Sequence, residues 1–363
     1  MRKLNTIIYI CYICFIFVCS CSDNGISGKE DSFFLKSEPE EVGFDTGFLE
    51  ELNKQAKALP NIYSFLVIKD GALVHEAYFN GAKPETLLHV RSITKSISSI
   101  AIGIALCEGV VSSLDEKIVK HYSAYIEEGR TDGIRDVTLG HILDMKTGVD
   151  WNEGQEAIAW YTSIQDTWEH FFQKQVIHDP GTIFNYNSGA VSLLNRFVEN
   201  DQPLSYQDYV HEKLLKPLDI TDFAWEKDGL GNTRADAGLQ LRAVDLAKIG
   251  YIMMQDGKKD DLQVIPKEWI DASWKFEINL NADYGPIENL HYNKLWWMGE
   301  YDEHQVFFGL GYGGQLMLCV PDYDLIVITN HEFRLPGNVV ASHSNDFLEE
   351  VFKPILDHLI ANN

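Results

Sequence analysis

The chain has 363 residues, 45% of them hydrophobic and 12% aromatic, enough to bury a large core in one large domain or two closely packed ones. Against 54 Asp and Glu stand 30 Lys and Arg, and the net charge of −24 repels nucleic acid and anionic membrane surfaces. This excludes a nucleic-acid-binding role and leaves a globular protein rather than a fibrous or disordered one.

The first residues form a separate segment. Met1-Arg2-Lys3 is a short basic start, "LNTIIYICYICFIFV" is too short for a comfortable membrane span, and "CSCSDNG" follows at once. Residues 1–20 therefore read as a secretory signal. The stretch "VCSC" resembles a bacterial lipoprotein processing site, with the small Ser20 before a lipidated Cys21; an ordinary cleaved signal or an uncleaved anchor are the alternatives. Residues 21–40 are polar and acidic, as suits a tether between a lipid anchor and a folded body. The expectation is an exported protein that meets a bacterial membrane only through that anchor.

Loss of the signal removes Cys11, Cys14 and Cys19. Cys107 and Cys319, each inside an apolar stretch, then read as small core hydrophobes and make no disulfide framework. The remaining chain has no CxxC pair and no HExxH, so no common zinc arrangement is present and no metal site is expected. His178, His211, His304 and His331 each stand alone in polar surroundings and read as surface residues.

Folded structure is expected from about Phe44. "DTGFLEELNKQAKAL" has helical apolar spacing with Asp45 or Thr46 placed to cap it, and "YSFLVIKDGALVHEAYFNG" gives two β-runs around a Lys69-Asp70-Gly71 turn. "HVRSITKSISSIAIGIALCEGVV" is a long, nearly all-apolar helix ending at Gly109, and a helix so apolar must be central. Ser92 is a natural N-cap there, but three residues on, where a capping box wants Glu or Gln, stands Lys95. A cation in the first turn opposes the helix dipole and burial disfavours charge, so both effects favour the neutral amine. Residues i and i+3 share a helix face, which brings the Lys95 amine to the Ser92 hydroxyl and supplies what a nucleophile needs. A capping Ser beside a snorkelling Lys is the bland alternative.

Further on come "VTLGHILDMKTGVDW" (137–151), "PGTIFNYNSGAVSLL" (180–194), "LKPLDITDFAW" (215–225), "GLQLRAVDLAKIGYIMMQDGK" (238–258), "VIPKEWI" (264–270) and "FFGLGYGGQLMLCVPDYDLIVITN" (307–330). In this order, with Ser92-Ile93-Thr94-Lys95 before them, the set resembles the penicillin-recognising serine hydrolases related to class C β-lactamases, D-peptidases and esterases. The resemblance runs from about residue 40 to the C-terminus. It implies an α+β fold of the β-lactamase/transpeptidase type: an antiparallel sheet flanked by helices, made of residues 41–120 and 290–363, with a mostly helical region, 121–289, inserted. The element pattern agrees, since β-runs come first and last with helices between, so the two ends must pair in one sheet.

The resemblance also assigns residues. Ser92 and Lys95 form the nucleophile motif, and Tyr186-Asn187-Ser188 falls on the second motif, with Tyr186 moving protons and Ser188 binding substrate where an Asn is common. An aromatic packing role for Tyr186 and an N-cap role for Ser188 are the alternatives. A literal Lys146-Thr147-Gly148 precedes Tyr186 and ends a helical pattern, so Lys146 reads as a surface residue and Gly148 as a helix C-cap. The third motif falls instead on Tyr312-Gly313-Gly314, expected on the strand that walls the cleft, with the two glycines giving bare backbone to an acyl group; no basic partner or following helix supports a phosphate loop there. The backbone N–H groups of Ser92 and Gln315 would then form an oxyanion hole.

The implied activity is acyl transfer through a Ser92 ester, needing no metal or organic cofactor, on a small-molecule or short peptide ester or amide. Tyr312 cannot supply the cation that a third-motif Lys offers a substrate carboxylate, which favours an esterase or amidase. A D-Ala-D-Ala-type carboxypeptidase or weak β-lactamase, and a catalytically silent lipoprotein binding module, are the alternatives.

Overall fold

The computed structural model describes residues 33–126, 133–199 and 202–362, so the signal segment and the proposed lipidation at Cys21 lie outside the described residues. Strands are numbered in chain order. One sheet has the spatial order β1 (Leu35–Lys36), β3 (Ala72–Tyr78), β2 (Ile62–Lys69), β14 (Leu325–His331), β13 (Gln315–Val320), β12 (His304–Gly311), β11 (Trp296–Tyr301), β10 (Glu288–Asn293) and β9 (Ile278–Asn279). A smaller sheet joins β4 (Leu88–His89), β6 (Leu239–Leu241) and β5 (Ala224–Trp225), and β7 (Lys258–Lys259) pairs with β8 (Leu262–Gln263).

The two ends of the chain meet where expected: β2 runs antiparallel to β14, with Val67 opposite Val327. Neighbours in the large sheet are antiparallel except at one edge, where β1 pairs parallel to β3. The β2–β3 turn uses Asp70 (φ 52°) and Gly71 (φ 74°), both left-handed, as a two-residue hairpin loop requires.

The central strands are apolar on both faces because helices cover both. On β14, Leu325 and Val327 point into one core and Ile326 and Ile328 into the other; Phe65 and Val67 against Leu66 and Ile68 repeat this on β2. One core is filled by the helix Thr46–Ala58, capped as predicted by the Asp45 side chain on the Phe48 N–H, and by the C-terminal helical segment through Leu359. The other takes the helices Ile93–Cys107 and Ala243–Met254 and the mostly helical stretch between β4 and β9.

The helix Ile93–Cys107 is central in the literal sense, since every residue from Ile93 to Ala105 is buried. It is approached so closely by the helix Lys267–Ser273 that a Cβ on Gly103 would sit 2.1 Å from Cγ of Trp269. A methyl cannot be accommodated there without moving an indole ring.

Four expectations need correction. The tether does not reach residue 40: Phe34 is 5% exposed and packs edge-on to Tyr251 at 5.5 Å, and β1 has joined the sheet, because two consecutive aromatic rings outweigh the polar composition around them. Cys107 is exposed on the last turn of its helix, while Cys319 is buried. His331 is buried on β14, stacked at 5.1 Å on His343, and burial followed by the neighbouring His343 pushes it down to about 3. Gly148 is not a C-cap: the helix Leu139–Leu143 ends on Asp144, Met145 turns left-handed (φ 55°), and Gly148 (φ 74°) is needed because a Cβ would meet the His178 carbonyl at 2.1 Å.

Two outcomes follow from this packing. Gly103→Ala should lower stability by about 1–3 kcal/mol in equilibrium denaturation, and Trp269→Leu in the same chain should return part of that loss. Phe34→Ala should cost about 3 kcal/mol, whereas Leu35→Ala, 77% exposed beside it, should stay within about 0.5 kcal/mol.

Candidate active site

The small sheet sets the geometry around Ser92. β4 pairs with β6, Val90 N–H continues the ladder to the Leu239 carbonyl at 3.0 Å, and Arg91 then turns left-handed (φ 51°), a strained conformation for a residue with a side chain, before the helix begins at Ile93. Ser92 occupies the N-cap position, yet its hydroxyl caps nothing. Its N–H also donates to no acceptor among the described residues.

The same face of the helix carries Lys95 and Ser98. Lys95 Nζ lies 3.1 Å from Ser92 Oγ and donates to the Asp236 carbonyl at 2.8 Å; Ser98 Oγ donates to the Ala235 carbonyl at 2.7 Å. β6 starts three residues after Asp236, so one strand pair delivers both halves of the cluster: Ser92 follows β4 and Asp236 precedes β6.

Lys95 is 1% exposed. Its amine also lies over the Tyr186 ring, 5.1 Å from the centroid. The Tyr186 ring is held by Trp297 of β11, stacked at 5.8 Å and 28°, and edge-on by Tyr292 of β10. Burial above all, then the nearby Glu153 carboxylate, pushes the Tyr186 phenol well above its ordinary range, although interaction with the Ser92 hydroxyl works the other way. Tyr186 is therefore a phenol and a donor at neutral pH. Behind Lys95, the buried Asp236 carboxylate accepts from Trp160 Nε1 (2.8 Å), Tyr161 (3.3 Å) and Arg234 (3.5 Å). Burial opposes its charge, but Arg234 and Lys95 hold it below the usual carboxylate range.

The three residues expected to act together thus stand together. Others do not fill the places expected of them. Ser188 is fully buried with its hydroxyl donated to Glu153, and Glu153 also accepts from Ser188 N–H (3.1 Å) and Trp151 Nε1 (2.7 Å); the N-cap of the helix Ser188–Val191 is Asn187. Lys146-Thr147-Gly148 is a brace for the Tyr186 loop, since the Lys146 carbonyl accepts from Gly181 N–H (2.7 Å) and the preceding Met145 carbonyl from Asn185 N–H (2.7 Å).

Tyr312, Gly313 and Gly314 lie not on a strand but in the turn between β12 and β13, and Tyr312 is 51% exposed. Gly313 (φ 83°) and Gly314 (φ 94°) are left-handed, and added Cβ atoms would meet Phe333 Cβ at 2.6 Å and His343 Cβ at 2.8 Å. These glycines therefore answer to the turn and to protein packing. The glycines that bring β12 against the Ser92 region are Gly309, whose Cβ would be 2.8 Å from Ile93, and Gly311, whose Cβ would be 2.4 Å from the Val90 carbonyl. Gly311 is paired with Gln315, which places Gln315 at the end of β12 nearest Arg91 and Ser92; its buried side chain is spent on the Gly313 and His331 carbonyls.

Sequence reasoning missed Asp236, Trp160, Tyr161 and Glu153. The one signal was in "TRADAG" (233–238), where Arg234 and Asp236 alternate with Ala235 and Ala237 ahead of an apolar run.

Comparison with known proteins fits this arrangement. The chain is 24% identical over 286 residues to the 6-aminohexanoate-dimer hydrolase of Paenarthrobacter ureafaciens, an alignment covering 73% of this chain and 71% of that one. The fold superposes on the octameric penicillin-binding protein homologue from Pyrococcus abyssi (TM-score 0.66, 21% identity, 84% of this chain and 78% of that one). It also superposes on a D-stereospecific amidohydrolase from Streptomyces sp. (TM-score 0.63, 13% identity, 83% and 98%). A family profile described as Beta-lactamase matches residues 54–344, from the helix before β2 to beyond β14. Because that match takes in every strand from β2 to β14 and the helical stretch between them, the chain belongs to the beta-lactamase family.

Proposed function

We propose that the protein is a serine hydrolase that forms an acyl-enzyme on Ser92 from an ester or amide substrate. The observation that carries this reading is the buried Lys95 amine, 3.1 Å from a Ser92 hydroxyl that caps nothing. Lys95 takes the Ser92 proton while Ser92 Oγ attacks the carbonyl carbon. Tyr186, kept as a phenol by burial, is suited to give its proton to the leaving group and to recover from Lys95 the one taken from Ser92. Water, deprotonated by the same pair, then releases the acid and regenerates Ser92.

The developing oxyanion falls to the Ser92 N–H, which donates to nothing else among the described residues, and to the Gln315 N–H at the start of β13. The family membership and the hydrolases among its relatives support hydrolysis in general. The basic start, short apolar run and Cys21 support an exported, lipid-anchored protein.

Ser92→Ala should abolish labelling by a fluorophosphonate probe and turnover of p-nitrophenyl esters. A variant labelled and active like the wild type would show that the nucleophile is elsewhere. Tyr186→Phe should retain labelling while kcat falls by about a hundredfold, and mass spectrometry should then find the acyl adduct on Ser92. Unchanged kcat would remove Tyr186 from the proton path.

A further inference from the structure

Beside Ser92 the structure builds a ladder of alternating aromatic rings and guanidinium groups. Arg234 lies 5.3 Å from the Trp160 ring and 4.6 Å from Tyr161; Arg91 lies 4.4 Å from Tyr161 and 4.5 Å from Phe333; Arg334 lies 5.0 Å from Phe333. It runs from the helix Glu153–Thr162, through the residue that precedes Ser92, to the loop that follows β14. In a chain of net charge −24, three guanidiniums converge on one place.

Their compensation is uneven. Arg234 pairs with Asp236. Arg334 is exposed beside Glu332, which its own N–H reaches at 2.7 Å, and its guanidinium is 3.0 Å from His89. Arg91, at the centre and only 8% exposed, has no carboxylate within ion-pair distance among the described residues, and its Nε has no hydrogen-bond partner. Ring faces offset part of the cost of burying a cation, but they leave its N–H edge without an anion. The surplus positive charge is felt nearby: burial first, then Arg334 and Arg91, push His89 down to about 4.

Position gives the unpaired charge a use. Arg91 Cβ lies against Gly311, where an added Cβ would be 3.1 Å away, so its side chain starts at the end of β12 that leads into the Tyr312 turn. Tyr312 itself offers no cation. A cavity of about 300 Å³, lined in part by His89, Gln240, Gln315, Phe333 and Arg334, shares Phe333 and Arg334 with this ladder and gives room for the remainder of a ligand.

We propose that Arg91 is a specificity-determining residue that binds a carboxylate on the substrate, so that the substrates are esters or amides carrying a negatively charged group near the scissile carbonyl. This rests on the serine-hydrolase reading above. The guanidinium fork matches a carboxylate in two parallel hydrogen bonds, and its position in the chain next to the nucleophile ties anion binding to placement of the carbonyl.

The test uses matched phenyl esters, with and without a carboxylate on the acyl or the phenyl side, and reads the ratio of kcat/KM for the charged over the neutral member. The wild type should prefer the charged member of at least one pair. Arg91→Asn, chosen because Asn tolerates the left-handed backbone, should lower that ratio by about tenfold or more through KM, and Arg91→Lys should keep a larger share of it. No preference in either wild-type pair, or an Arg91→Asn variant in which both members fall together, would overturn the role of Arg91 and leave it a packing residue. Wild-type fluorophosphonate labelling separates the readings: labelled protein with no charge preference sinks only this inference, whereas unlabelled protein sinks the hydrolase assignment beneath it.

Discussion

The arrangement depends on an amine carried into the protein interior. Lys95 has four methylenes and a nitrogen with almost no access to solvent, and a buried polar group without partners costs several kcal/mol. The fold answers with the Asp236 carbonyl, the Ser92 hydroxyl and the Tyr186 ring around the nitrogen, and with the Asp236 carboxylate held ionised behind them. Each partner comes from a different part of the chain, and each is fixed by something else: Asp236 by Trp160, Tyr161 and Arg234, Tyr186 by Trp297 and the Met145–Lys146 backbone, Ser92 by the β4–β6 pairing.

Close backbone approach is the second requirement. The helix that carries Ser92 and Lys95 is buried along nearly its whole length, and it reaches the sheet only because β12 has no side chain at Gly309 or Gly311. Toward its C-terminal end it meets Trp269 across Gly103. A helix gripped in this way holds the Ser92 hydroxyl steady relative to the end of β12, where Gln315 begins the next strand. Pre-organisation of that kind is what makes backbone N–H groups effective at a developing oxyanion.

Charge distribution tells the candidate site apart from the rest of the molecule. The chain is strongly acidic, yet Arg234, Arg91 and Arg334 alternate with aromatic rings beside Ser92, and Arg91, which precedes Ser92 in the chain, has no carboxylate within ion-pair distance among the described residues. A region so built opposes the field of the molecule as a whole, which repels anions at long range but can hold one at short range. Selectivity would then come from contact, not from steering.

Much of this was legible in the sequence, for local physical reasons. The Lys69-Asp70-Gly71 turn, the Asp45 cap, the apolar helix after Ser92 and the pairing of the chain's two ends are set by turn chemistry, capping and hydrophobic period, all of which act over a few residues. The i, i+3 spacing of Ser92 and Lys95 brings them together on any helix. What only the tertiary structure decided involves surroundings that spacing cannot carry. Phe33 and Phe34 lie in a polar stretch and were read as tether, but find Tyr251 far along the chain. His331 was read as surface from its polar neighbours, yet lies at the end of a doubly covered strand. Gly313 and Gly314 do mark a special backbone, as their clustering suggested, but the atoms that forbid a side chain there belong to Phe333 and His343. Asp236, Glu153 and Arg91 escaped notice because what distinguishes them is a buried charge's choice of partner, and that choice is made only once distant segments have packed.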